Sequence, residues 1–188
     1  GCTVVVMDPL DGPAPEGVLQ FWDVVNAASD EDNDVALDQH EHTVLLRFTG
    51  GTTGRGKCAM YSADNLMACR DSGFINPGMG FDENTRFIHV APLSHGTAMG
   101  YYVTLFSGGA NITMNALDLE EWCRVAEAER VTHSFLVPTV LYRLLELQKA
   151  SPRNFSSLRT LIYGAAPMSP TRLDDLVKTF GPIFVQGY

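Results

Sequence analysis

The chain is 188 residues long, 45% apolar and 19% charged, which suits an ordinary globular protein able to bury a sizeable core. Its net charge of -9 is uneven, because residues 1–46 hold ten acids and no Lys or Arg while the rest holds twelve acids and thirteen bases. With no Lys/Arg cluster the chain offers no basic face for nucleic acid, its longest uncharged apolar stretch, Ala98 to Phe106, is too short to span a bilayer, and its first residues lack the basic start of a signal peptide.

Thr3 to Met7 reads as a buried strand, followed by the turn-rich run from Asp8 to Pro13. Val18, Leu19, Phe21, Trp22 and Val25 recur at near-helical spacing and predict an amphipathic helix from about Glu16 to Ala28. Asp30, Glu31, Asp32 and Asp34 read as a solvated loop, and His40 and His42 lack a third partner that would make them a metal pair. Thr43 to Phe48 then reads as a strand.

That strand delivers Thr49-Gly50-Gly51-Thr52-Thr53-Gly54-Arg55-Gly56-Lys57, four glycines and three threonines closed by one ammonium. Such a backbone can turn its N–H groups inward beside hydroxyls, a chemistry suited to a polyphosphate. Gly51-x4-Gly56-Lys57 nearly meets the P-loop pattern, but Cys58 stands where a hydroxyl should hold magnesium. The following Cys58 to Tyr61 reads as a strand, so the loop joins two strands rather than a strand and a helix. The same reading weakens Gly54-x-Gly56-x-x-Ala59 as a dinucleotide fingerprint.

Ser62 is placed to cap a helix running toward Phe74, which Asn76-Pro77-Gly78 stops. Strands and helices then alternate. Strands are predicted at Arg86 to Val90, Ala110 to Met114, Thr132 to Val137, Leu158 to Tyr163 and Ile183 to Gln186. Helices are predicted from about His95 to Phe106, Leu119 to Arg130 with Asp118 as cap, Thr139 to Lys149 opened by Pro138, and Thr171 to Phe180. The pattern implies an α/β fold of layered, largely parallel sheets flanked by helices, with Tyr101, Tyr102, Leu105 and Phe106 facing the sheet. No repeat or obvious linker divides it, and one domain is the expectation from length. Cys2, Cys58, Cys69 and Cys123 show no C-x-x-C spacing, which suits a reducing cytoplasm.

Ligands of open α/β sheets settle beyond the carboxyl ends of strands. Those ends carry Pro92-Leu93-Ser94-His95, Gly164-Ala165-Ala166-Pro167 and Gln186-Gly187-Tyr188. Together with Phe48-Thr49-Gly50-Gly51-Thr52-Thr53-Gly54 and Lys57, and with Thr132-x5-Pro138-Thr139, these segments resemble, in order, the motifs of the adenylate-forming (AMP-binding) superfamily, most of all its acyl-CoA synthetases. Gly50, Gly56 and Cys58 depart from the usual Ser, Pro and Gly of the phosphate-binding signature.

The resemblance implies part of the large N-terminal domain of an enzyme that activates a carboxylic acid with ATP and passes the acyl group to CoA, with Mg2+ assisting. It implies that Thr49, Gly50, Gly51, Thr52, Thr53, Gly54 and Lys57 meet the phosphates. Gly164, Ala165, Ala166, Pro167, Gln186, Gly187 and Tyr188 would surround adenine, and His95 would stand by the acyl pocket and the path of CoA. Lys57 and His95 are the candidate catalytic residues, and no residue is assigned to metal. The family's magnesium-binding Glu and mobile C-terminal domain would follow Tyr188, so the 188 residues are expected to be an inactive fragment. A non-catalytic module of the same fold, a peptide-synthetase adenylation domain and a P-loop NTPase are the alternatives.

Overall fold

Short apolar runs that end in glycine, proline or a capping side chain set the element boundaries of the computed structural model, which describes residues 4–7, 10, 12–31, 38, 40–48, 56–75, 78–94 and 96–187. The chain divides into two compact units, 1–37 and 38–188.

In the first unit β1 (Val4–Val6) pairs in parallel with β2 (Val18–Gln20), and α1 (Phe21–Ala27) follows directly. The helix expected from Glu16 is therefore a strand in its first part. Gly17, at φ 80°, turns the chain so that Val18–Gln20 can pair with β1. Nor is β1 buried: Val4 and Val5 are 50% and 45% exposed, because a pair of three-residue strands has too little surface to cover both of its faces.

In the second unit β3 (Thr43–Phe48) and β4 (Cys58–Ser62) form an antiparallel pair, with Leu46 opposite Met60 and Phe48 opposite Cys58. Lys57 thus leads into a strand, as the sequence implies, and no helix opens there. Ser62 and Asn65 cap α2 (Ala63–Ile75) reciprocally, Ser62 N donating to Asn65 Oδ1 at 3.1 Å and Asn65 N to Ser62 Oγ at 3.4 Å.

The remaining elements are β5 (Arg86–His89), α3 (Ala98–Phe106), β6 (Ala110–Thr113), α4 (Leu119–Ala128), β7 (His133–Leu136), α5 (Pro138–Ala150), β8 (Thr160–Tyr163), α6 (Pro170–Phe180) and β9 (Phe184–Gln186). The five strands form one parallel sheet in the order β6-β5-β7-β8-β9. Asp118 caps α4 by accepting from Glu121 N at 3.0 Å. The helix ends with Arg130 at φ 51°, where Val131 N reaches Ala126 O and Arg130 N reaches Glu127 O, the paired bonds of a Schellman end.

The two faces of this sheet are chemically unlike. Alternation along the strands puts Ile88, Leu136, Leu161 and Tyr163 on one face, where they pack with Trp122, Leu141, Leu144, Leu145 and Leu176 in the main apolar core. The other face carries Phe87, His89, Asn111, His133 and Thr160. There α3 rests on β5 through Gly100, where a Cβ would fall 2.5 Å from the Phe87 ring. Leu105 and Phe106 do not face the sheet as expected but are 55% and 47% exposed. Gly100, Val103 and Thr104 supply the buried side of α3 instead, because helix α2 claims it through Gly73 against Val103.

Segment 78–85 closes over this second face. Phe81 stacks on His133 at 4.8 Å, and Met79 O accepts from His133 Nε2 at 2.7 Å and Thr160 Oγ1 at 3.1 Å. Arg159 grips Asp82 with two nitrogens, at 2.7 and 2.8 Å, and that guanidinium holds the Asp82 carboxyl down at about 2. His133 is fully buried, and burial lowers its pKa from 6.5 to about 4.

An acid-linked loss of stability follows. Between pH 6.5 and about 4 the unfolded chain binds a proton at this position that the folded chain refuses. Stability is therefore full above 6.5 and falls as pH drops through that window, by roughly 3 kcal/mol in all. Urea midpoints measured from pH 7 to 4.5 are expected to fall accordingly, and His133→Gln is expected to flatten the slope.

Candidate functional site

A parallel sheet aligns the carboxyl ends of all its strands, so β5, β8 and β9 deliver their following segments along one edge. Neighbouring strands lie about 4.8 Å apart, which puts the β5 and β8 tips, separated only by β7, about 10 Å from each other.

The β8 and β9 tips touch. Gly187 N donates to Tyr163 O at 2.7 Å, and a Cβ on Gly164 would fall 2.4 Å from Gly187 O. Only glycine fits at position 164. The next residue, Ala165, sits at φ 63°, a left-handed conformation that costs an alanine roughly 1–2 kcal/mol. Strain of this kind persists where the surroundings enforce it. Here Gly164 is buried under Gly187, while Ser169 N donates to Tyr142 Oη of α5 at 3.0 Å and anchors the far end of the turn. Ala165, Ala166 and Pro167 are left exposed at the edge, with Gln186 exposed on the adjacent tip.

The β5 tip meets β3. Leu93 and Ser94 join Leu45, Leu46, Arg47, Phe48 and Tyr102 around a cleft of about 420 Å³. Arg47 lies over the Tyr61 ring, 5.4 Å from its centroid, so the strand that enters the glycine-threonine loop is tied to the strand that leaves it. The end of β3 and the Leu93–Ser94 pair therefore form one concavity, although they are far apart in sequence.

The candidate residues fall into three groups. Gly164, Ala165, Ala166, Pro167, Gln186 and Gly187 are brought together at the β8–β9 edge. Lys57 is exposed just ahead of β4. Thr49, Gly50, Gly51, Thr52, Thr53, Gly54, His95 and Tyr188 lie outside the described residues. His40 pairs with Asp64, and His42 Nδ1 accepts from Asp38 N at 2.7 Å. Among the described residues no group of three His, Cys, Asp or Glu side chains could hold a metal ion.

The sequence reading passed over three further residues, His89, Thr97 and Asn111. They form a hydrogen-bonded set directly beneath the β5 tip, with His89 and Thr97 buried and Asn111 half-buried. The available signal was a histidine ending a strand just ahead of a Pro-Leu-Ser-His motif.

The profile of the AMP-binding enzyme family matches residues 2–188. The medium/long-chain-fatty-acid–CoA ligase FadD8 of Mycobacterium tuberculosis is 36% identical over 155 residues, covering 82% of this chain and 27% of its own length. Feruloyl-CoA synthase of an Amycolatopsis species is 36% identical over 166 residues, covering 87% and 33% respectively. Among solved structures, a mutant of the amide bond synthetase McbA from Marinactinospora thermotolerans superposes with a TM-score of 0.75 at 28% identity, over 94% of this chain and 34% of that one. The chain thus spans about a third or less of the length of these two ligases. With the family profile running over nearly every residue, and the motif-bearing strand tips aligned on one sheet edge, the chain belongs to the family of AMP-binding enzymes.

Proposed function

We propose that the protein carrying this chain is an acyl-CoA synthetase, and that these residues form part of its adenylation domain. A carboxylate oxygen attacks the α-phosphorus of ATP, the α–β anhydride bond breaks and pyrophosphate leaves. The CoA sulfur, having lost its proton, then attacks the acyl carbon and AMP departs. The observation that carries the reading is the common edge shared by the β5, β8 and β9 tips, with the end of β3 lining a cleft beside the first of them. The two CoA-ligase relatives support thioester formation as the second step.

In this reading Lys57, Thr52, Thr53 and the loop N–H groups neutralise charge as pyrophosphate leaves. The turn from Gly164 to Pro167, with Gln186, Gly187 and Tyr188, receives adenine. His95 stands where acid and thiol approach. Magnesium arrives with ATP as its counter-ion. The free thiols Cys58, Cys69 and Cys123 support a reducing cytoplasmic setting. Among the described residues no helix is long and apolar enough to cross a membrane.

Carboxylate-dependent exchange of labelled pyrophosphate into ATP, followed by CoA-dependent release of AMP, tests the whole protein. Exchange without CoA dependence would point to another acyl acceptor, and a blank for both would leave a non-catalytic module. A charged hydrogen bond contributes roughly 1.5–3 kcal/mol, so Lys57→Met is expected to lower kcat/KM for ATP by about tenfold or more. Unchanged kinetics would remove Lys57 from the site. Gly164→Ala drives a methyl group into Gly187 O and is expected to raise the KM for ATP while sparing that for CoA, as steady-state titrations of each substrate would show.

A further inference from the structure

His89, the last residue of β5, is 1% exposed and faces no charged partner among the described residues. Its Nε2 lies 2.7 Å from Asn111 Oδ1 and its Nδ1 lies 2.8 Å from Thr97 Oγ1. Asn111 Nδ2 donates to Tyr101 O at 3.2 Å, which commits Oδ1 to accepting. Nε2 therefore carries the hydrogen, and Nδ1 accepts from the Thr97 hydroxyl. Burial lowers the His89 pKa and favours this uncharged form.

Thr97 is the N-cap of α3, a position where a threonine hydroxyl ordinarily accepts from a first-turn N–H. Here, with helical φ and ψ of -64° and -18°, it makes no cap bond, and its hydroxyl is turned back onto His89. The ring is held on its face as well. Phe87 stacks on it at 4.4 Å, and Phe87 is pressed in turn against Gly100 of α3. His89 and Thr97 thus close the two ends of the segment whose middle, Leu93 and Ser94, lines the cleft beside Arg47, Phe48 and Tyr102.

We propose that His89 is a positioning residue for acyl transfer: by holding Thr97 and Asn111 it fixes where Leu93 and Ser94 stand in the wall of the cleft. The proposal rests on the CoA-ligase reading, which puts the acid and the thiol on this side and the nucleotide at the β8–β9 edge. A bond that merely stabilised the fold would affect all three substrates alike. One that sets this wall affects the acid and CoA.

The test uses Thr97→Val in the whole protein, which deletes the hydroxyl opposite Nδ1, with Thr97→Ser as the conservative rescue. The loss of one neutral hydrogen bond is expected to raise the KM for carboxylic acid and CoA about fivefold, with that for ATP nearly unchanged. Deuterium uptake, read by mass spectrometry without substrates, is expected to accelerate in the peptide spanning residues 90–98 and not in that spanning 138–150. Thr97→Ser should restore both readouts. Wild-type constants, a uniform loss over all three substrates, or faster exchange in both peptides would each overturn the proposal. Thr97→Ala removes the same hydroxyl with less bulk, and failure of both variants to fold would overturn it too by making the bond purely structural. If the unmutated protein shows no pyrophosphate exchange, the ligase reading falls first, and the uptake data alone then decide whether this bond holds the segment.

Discussion

Two parallel strands can be neighbours only if the chain returns to its starting end between them, and everything functional in this protein depends on that constraint. Each of the five strands of the main sheet must run toward the same edge. The residues that follow a strand, rather than those within it, are therefore the ones brought together. Positions as far apart in sequence as 93, 165 and 187 share an edge for this reason, and each strand needs only three or four residues to direct its own tip. The β3–β4 pair obeys a different rule, since antiparallel strands can be joined directly, and its first strand reaches the cleft through Arg47 and Phe48.

The helices that complete these crossovers give the sheet one apolar face and one mixed face. On the first, Trp122 and four leucines pack against Ile88, Leu136, Leu161 and Tyr163 with little need of direction. On the second, imidazole, amide and hydroxyl groups are buried, and leaving one unpaired is costly, as with the Thr104 hydroxyl of α3. His133 and His89 solve this in the same way. Each gives its Nε2 hydrogen to an oxygen and accepts at Nδ1 from a threonine, Thr132 in one case and Thr97 in the other. Directional bonds of this kind fix geometry more tightly than apolar contact does, and this is the face nearer the β5 segment. The apolar face supplies bulk stability and the mixed face supplies registration.

Much of this was legible in the residues. Pro138 opens α5, Asp118 caps α4 and Ser62 caps α2, because local chemistry decides helix starts with little help from the rest of the fold. The strand from Thr43 to Phe48 was legible to the residue. Val18–Gln20 was not, because its apolar spacing fits a helix and only pairing with Val4–Val6 selects the strand. Leu105 and Phe106 were misassigned because hydrophobicity says that a side chain prefers burial but not that room exists, and Gly73 against Val103 had already fixed which side of α3 was covered. Of the candidate site, the touching tips at Gly164 and Gly187 follow from small residues at strand ends. The bonds of His89 could not be read, since its partners lie eight and twenty-two positions away: the register of β5 with β6 brings Asn111 beside it, and the start of α3 brings Thr97.

The β3–β4 pair presents Val44, Leu46, Phe48 and Met60 at 40%, 57%, 72% and 71% exposure, and among the described residues each strand is paired on one side only. A ribbon that is greasy on its surface and open along its edges is a ready template for another strand. Crowded solutions of these 188 residues would therefore favour molecules zipping together through this ribbon, and a lysine in place of Phe48 would be the natural gatekeeper against it.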